Sequence, residues 1–169
     1  MPLTLVLSPE LTDGTPLSGS RSPEPWPRSE DSIPISMSRK INVAIVGLGF
    51  GSEFIPIYQR HPNANMYAIC QRSKDKLDAV GKAFGVEKRY TSFEDLLHDP
   101  KVDAVHINSP IHLHASQSIA ALRAGKHVAC TVPACTTLEE AREIVKASKE
   151  SGKKYMMMET VVWSREYLF

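Results

Sequence analysis

The sequence predicts an α/β fold, a doubly wound parallel sheet of six strands behind a disordered N-terminal tail. Three observations predict it. In Ile41–Ser52, INVAIVGLGFGS, an apolar and largely β-branched run passes directly into a glycine turn. From there to about residue 160, short apolar runs alternate with segments of helical period. The runs end in small polar turns, and these turns share one edge of the predicted sheet, where ligands of open α/β sheets bind.

Ile41–Val46 reads as a buried strand, and Phe54, Ile55, Ile57 and Tyr58 are the apolar members of the helix after it. Between them lies Gly47-Leu48-Gly49-Phe50-Gly51-Ser52. A strand, a glycine turn and a helix form the context of a dinucleotide-binding turn, which makes the fold Rossmann-like. A pyrophosphate reaches the N–H groups at a helix start only where no Cβ blocks it. Gly47 is assigned the tight turn and Gly49 the close approach, with phosphate contacts from the backbone near Phe50, Gly51 and Ser52. The third glycine of G-x-G-x-x-G falls at position 52, where Ser52 is small enough for close helix–strand packing; Gly51 lies one residue early.

His61-Pro62-Asn63 is a turn, and Met66–Cys70 is the second strand. Gln71 and Arg72 end it, where a fold of this kind usually carries an acid for the adenosine ribose. A neutral amide beside a guanidinium tolerates or prefers a 2′-phosphate, so NADP is slightly favoured over NAD. Arg72 has a second reading, a solvated residue at a helix start. Ser73 caps a helix over Lys74–Phe84 that ends at Gly85, and Arg89–Thr91 is a short third strand. Ser92 starts a helix with Phe93, Leu96 and Leu97 inward, stopped by Asp99-Pro100. Val102–Ile107 is the fourth strand and Asn108-Ser109-Pro110 its exit turn. A helix then runs from about His112 to Ala124, with Gly125 after it. Lys126–Cys130 is the fifth strand, left through Thr131-Val132-Pro133. Leu138, Ala141, Ile144, Val145 and Ser148 form one face of the next helix, ended by Gly152. Lys154–Met158 is the sixth strand. The predicted strand order is 3-2-1-4-5-6.

A net charge of +1 on 169 residues gives no case for nucleic acid, and no apolar run reaches the length of a membrane span. Cys70, Cys130 and Cys135 read as reduced thiols of a cytoplasmic protein. His112, His114, Cys130 and Cys135 lack a paired zinc spacing, so no metal is expected. His106 is read as a core or edge histidine. Met156, Met157 and Met158 alternate across their strand, two of them packing toward helices. Glu159 either reaches the nicotinamide side of the ligand edge or caps the helix after it. Seven of the twelve prolines lie in residues 1–36, with serine, threonine and glycine between them. Residues 1–38 are therefore read as a disordered tail and 39–160 as the dinucleotide domain. Met37 reads as the start of the compact part, and deletion of residues 1–36 is expected to leave its stability unchanged.

Together these motifs resemble the Gfo/Idh/MocA family. The matching pieces are the glycine turn, Ala68-Ile69-Cys70-Gln71-Arg72, Asp103-Ala104-Val105 leading to Ser109-Pro110 and His114, and Ala124-Gly125-Lys126-His127-Val128. The resemblance implies the cofactor half of a two-domain NAD(P)-dependent oxidoreductase acting on sugars, polyols and related compounds. It implies that residues 161–169 begin a C-terminal substrate domain, through which substrate binding and oligomerisation would come. It also places Ser109, Pro110, Thr131, Val132 and Pro133 near the cofactor, together with His114, whose other reading is an exposed residue on a helix's first turn. The family's Glu-Lys-Pro, whose lysine assists proton transfer, is here Thr131-Val132-Pro133. No catalytic residue is therefore assigned. The alternative is a non-catalytic dinucleotide-binding protein that keeps the fold without the chemistry.

Overall fold

A computed structural model describes residues 39–160. The predicted tail (1–38) and the predicted start of a further domain (161–169) lie outside them. Six strands form one sheet: β1 (Ile41–Val46), β2 (Ala64–Cys70), β3 (Lys88–Tyr90), β4 (Ala104–Ile107), β5 (His127–Thr131) and β6 (Tyr155–Met158). All pairings are parallel, and the order is β3-β2-β1-β4-β5-β6. The helices are α1 (Ile55–Arg60), α2 (Lys74–Ala83), α3 (Phe93–His98), α4 (His114–Arg123) and α5 (Leu138–Ser151).

β1 shows why its sequence is apolar throughout. Ile45 packs with Phe54, Ile55, Ile69 and Leu77 on the face that α1 and α2 cover. Ala44 and Val46 pack with Ala121, Leu122, Ile144 and Ala147 on the face of α4 and α5. A strand buried on both sides needs side chains that lose nothing on leaving water. Helix starts follow the polar signals. Ser73 and Ser92 accept from the N–H groups of Lys76 and Asp95. Thr137 and Glu140 close a reciprocal capping box on α5.

Several expectations are corrected. The first helix opens as a 3₁₀ turn over Gly51–Phe54, and Ile57 is 57% exposed. Two residues beyond buried Ile55, Ile57 stands about 200° round the helix. Leu138 is 61% exposed for the same reason. Six residues before Ile144, it lies about 120° off the buried stripe. The methionine triplet packs less than expected: Met157 is exposed, and Met156 and Met158 are only half-buried, because β6 is an edge strand.

Lys126, in the Ala-Gly-Lys-His-Val string, is structural. Its Nζ donates to the carbonyls of Asp99 (2.7 Å) and Val102 (2.9 Å), tying the start of β5 to the loop before β4. Among the described residues no helix is long and apolar enough to cross a membrane.

Candidate dinucleotide site

The sheet changes direction between β1 and β4, and the turns leaving these strands meet there. Gly47 N–H donates to the Cys70 carbonyl (3.0 Å) and Asn108 N–H to the Val46 carbonyl (2.7 Å). Gly47 has φ +86°, and a Cβ on it would lie 2.5 Å from the Asn108 carbonyl oxygen. Both the backbone conformation and the approach of the β4 turn require glycine at this position.

Gly49 is different. It is exposed, and a Cβ built on it meets nothing within 4 Å. The fold therefore does not need this glycine. The N–H groups of Gly49, Phe50 and Gly51 take no carbonyl partner among the described residues. Bare donors beside open space are what a pyrophosphate requires. Gly51 is buried, and a Cβ there would fall 2.9 Å from the Ile45 side chain and 3.1 Å from Asn108 Cβ. Helix-to-strand packing thus falls to Gly51 and not to position 52, where the motif spacing places it. Ser52 instead donates its hydroxyl to the Gly49 carbonyl at 3.3 Å.

A cleft of about 790 Å³ opens beside this turn. Of the predicted site residues, Gly47, Gly49, Gln71, Arg72, Ser109 and Pro110 line it. The β3–α3 connection, Thr91 to Glu94, lines it as well. The Gln71 side-chain Oε1 accepts the Leu48 N–H at 3.1 Å, so this side chain bridges the end of β2 to the glycine turn. Asn108, from the predicted β4 exit turn, also lines the cleft, as do Lys76 and Gln117, which the sequence alone did not single out. Lys76 lies in the first turn of α2, which Ser73 caps. Gln117 carried no signal in the sequence, because its contact with Ser109 Oγ (2.5 Å) depends on how α4 packs.

Phe50, Gly51 and Ser52 stay on the β1 turn, while His114, Thr131, Val132 and Pro133 lie toward the β4 and β5 exits; none of these lines the cleft. His114 is 1% exposed, so the reading of it as an exposed residue is wrong. Its Nε2 lies 2.7 Å from the Ser109 carbonyl and its Nδ1 2.7 Å from the Pro133 carbonyl. The ring thereby couples the two exit turns. Thr131 Oγ1 donates to the Ile107 carbonyl (3.1 Å), while Val132 and Pro133 are exposed. Phe50, Ile111 and Val132 leave large apolar side chains in solvent along the β1, β4 and β5 turns.

His106, on β4, is fully buried. Tyr58 Oη lies 3.0 Å from its Nδ1, and its Nε2 has no partner. Burial pushes its pKa down to about 4. Burial likewise raises the Cys70 thiol to about 12 and the Cys130 thiol to about 11, so neither is an activated nucleophile. The described residues bring together no group of three metal-ligating side chains.

A family model described as an oxidoreductase family with an NAD-binding Rossmann fold matches residues 41–159. The chain is 41% identical over 93 residues to 1,5-anhydro-D-fructose reductase of Ensifer adhaerens, covering 55% of this chain and 28% of the relative. It is 29% identical over 126 residues to D-apiose dehydrogenase of Paraburkholderia graminis, covering 74% and 34%. Among solved structures, the WlbA dehydrogenase of Bordetella pertussis, in complex with NADH and UDP-GlcNAcA, matches with a TM-score of 0.71 and 29% identity, over 77% of this chain and 40% of that one. Scyllo-inositol dehydrogenase of Lactobacillus casei, with bound NAD(H) and scyllo-inositol, matches with a TM-score of 0.66 and 30% identity, over 70% and 36%. The chain spans about a third of the length of the curated relatives it matches.

Proposed function

The chain belongs to the Gfo/Idh/MocA oxidoreductase family with its NAD-binding Rossmann fold, and on that premise we propose that it is the cofactor half of an NAD(P)-dependent oxidoreductase acting on a sugar, polyol or related compound. The observation that carries the reading is Gly49, a position the fold leaves open, beside donors the fold leaves unused. In this reading the pyrophosphate lies on the N–H groups of Gly49, Phe50, Gly51 and Ser52. The adenosine occupies the cleft by Gln71 and Arg72. The nicotinamide end extends toward Ser109, Pro110, His114, Thr131, Val132 and Pro133. NADP is favoured over NAD because Arg72 is cationic and Gln71 carries no charge to repel a 2′-phosphate. The substrate and any oligomer contact belong to a C-terminal half, and the setting is cytoplasmic.

The bound nicotinamide would supply a hydride acceptor or donor. The residues here would hold it: the bare N–H groups would bind the phosphates, and His114 keeps the β4 and β5 exit turns together. The alcohol proton needs a base, and Val132, at the position where the family resemblance implies a lysine, cannot take it. The test is NADPH and NADH fluorescence enhancement on titration with the whole chain. Saturable binding of either supports the proposal, and none up to about 1 mM, a free energy weaker than about −4 kcal/mol, refutes it.

A further inference from the structure

We infer that residues 161–169 of this chain pack across one open quadrant of the sheet, the side of β4, β5 and β6 that faces the same way as α1 and α2, and that they partner the buried His106 there. In a parallel sheet, register partners stand side by side on one face. Ile45, His106, Ala129 and Met156 form one such row. The opposite face of these strands is closed: Val105, Ile107, Val128 and Cys130 are buried together with side chains of α4 and α5. The row's own face is closed only at β1. Among the described residues, the apolar cluster that α1 and α2 cover takes side chains from β1 and β2 and none from β4, β5 or β6. Ala104, Ala129, Met156 and Met158 are left half-buried on it.

The quadrant holds a groove of about 380 Å³ whose lining includes Val43, Ile57, Tyr58, Ala104, His106 and Ala129. Ile57, 57% exposed and off the buried stripe of α1, adds apolar surface to it. The two alanines leave room for another segment to come close. His106 is fully buried in this lining; Tyr58 Oη serves its Nδ1 at 3.0 Å, and its Nε2 has no partner. A buried ring nitrogen left unpaired is costly, so the groove asks for one polar group as well as apolar cover. A hydroxyl suits either tautomer of the ring, because it donates to a bare nitrogen and accepts from a protonated one.

Residues 161–169 match these demands. Val161, Val162, Trp163, Tyr167, Leu168 and Phe169 are apolar or aromatic, six of nine, and Tyr167 carries a hydroxyl. The chain leaves β6, the strand that borders the quadrant, at Met158. Met156 stands beside Ala129 and Ala129 beside His106, so His106 lies two strand spacings, about 10 Å, from β6. Five residues span up to about 17 Å, so every position from 161 onward is within reach of the groove. The other end of the chain suits it less. Residues 1–38 carry seven prolines and enter β1 through Arg39, which Asp103 holds at 2.7 Å on the amino edge of the sheet.

Isotope-edited NOE spectroscopy of the whole chain tests this without any substitution. Aromatic protons of Trp163 or Tyr167 should show cross-peaks to the methyl groups of Ala104 and Ala129, and these should persist on dilution. Tryptophan emission gives a second reading. The chain has two tryptophans, so Trp26→Phe leaves Trp163 as the reporter. Its emission should lie to the blue of the same chain unfolded in urea. Adding Ala129→Glu places a charge on the groove floor and should shift the emission to the red, with circular dichroism unchanged. Absence of the cross-peaks, or an emission maximum equal to that of the unfolded chain, overturns the inference. Cross-peaks found only between differently labelled copies would place a second copy on the quadrant, and cross-peaks from Ile33 or Ile35 would place the N-terminal tail there; either overturns it.

Discussion

Substituting Gly49 and Gly47 separates ligand recognition from folding within one turn. At Gly49 an added Cβ meets no atom within 4 Å, and φ lies outside the left-handed region. Gly49→Val should therefore change stability by no more than about 0.5 kcal/mol in urea unfolding. Its side chain would fill the space above the bare N–H groups. A charge-assisted hydrogen bond is worth about 1.5–3 kcal/mol, so displacing a phosphate from two of them costs about 3–6 kcal/mol. Nucleotide affinity should fall by at least about a hundredfold. Gly47→Ala should do the reverse. A non-glycine residue at φ +86° costs about 1–2 kcal/mol, and the 2.5 Å contact with the Asn108 carbonyl adds to it. Gly47→Ala should thus lose about 2 kcal/mol or more of stability. Paired urea denaturation and equilibrium dialysis with NADPH give both numbers. Unchanged affinity in Gly49→Val, or a strongly destabilised Gly49→Val, would refute the assignment of this turn.

Below pH 6.5 the unfolded chain protonates His106, whereas the buried ring stays neutral down to about 4. Stability should therefore fall by roughly 3 kcal/mol as pH drops through that window. His106→Leu should flatten the curve, and an unchanged slope would reject the assignment. Lys126→Met should cost about 2–4 kcal/mol in thermal unfolding, since it orphans the Asp99 and Val102 carbonyls. Nucleotide affinity should be preserved, because those contacts lie at the amino ends of the strands. The 169-residue chain should bind NAD(P)H without oxidising sugars or polyols in an absorbance assay. Turnover of any sugar or polyol by the chain would refute this.

β1 and β2 were legible as strands because both of their faces are packed with apolar side chains, and that leaves continuous runs in the sequence. The glycine turn was legible as a location but not as a division of labour. Motif spacing assigned packing to position 52, whereas the contact with Ile45 falls on Gly51, because a 3₁₀ turn begins there. Gln71 was visible as the residue ending β2, but its bond to Leu48 joins residues 23 apart and depends on the pairing of β1 with β2. The burial of His114 was hidden for a similar reason: both its carbonyl partners lie in turns that only the folded sheet brings together. Helix faces failed at Ile57 and Leu138, where apolar residues near helix starts lie off the buried stripe.

The most direct test of the central claim, that the β1 turn is a dinucleotide site, is amide NMR of the ¹⁵N-labelled chain titrated with NADPH. The account predicts the largest shifts at Gly49, Phe50 and Gly51, with smaller ones at Gln71, Arg72 and Ser109, and none at Gly125 or Lys126 on the opposite edge. Saturable shifts confined to that opposite edge, or no shift at Gly49–Gly51 with nucleotide in excess, would contradict it.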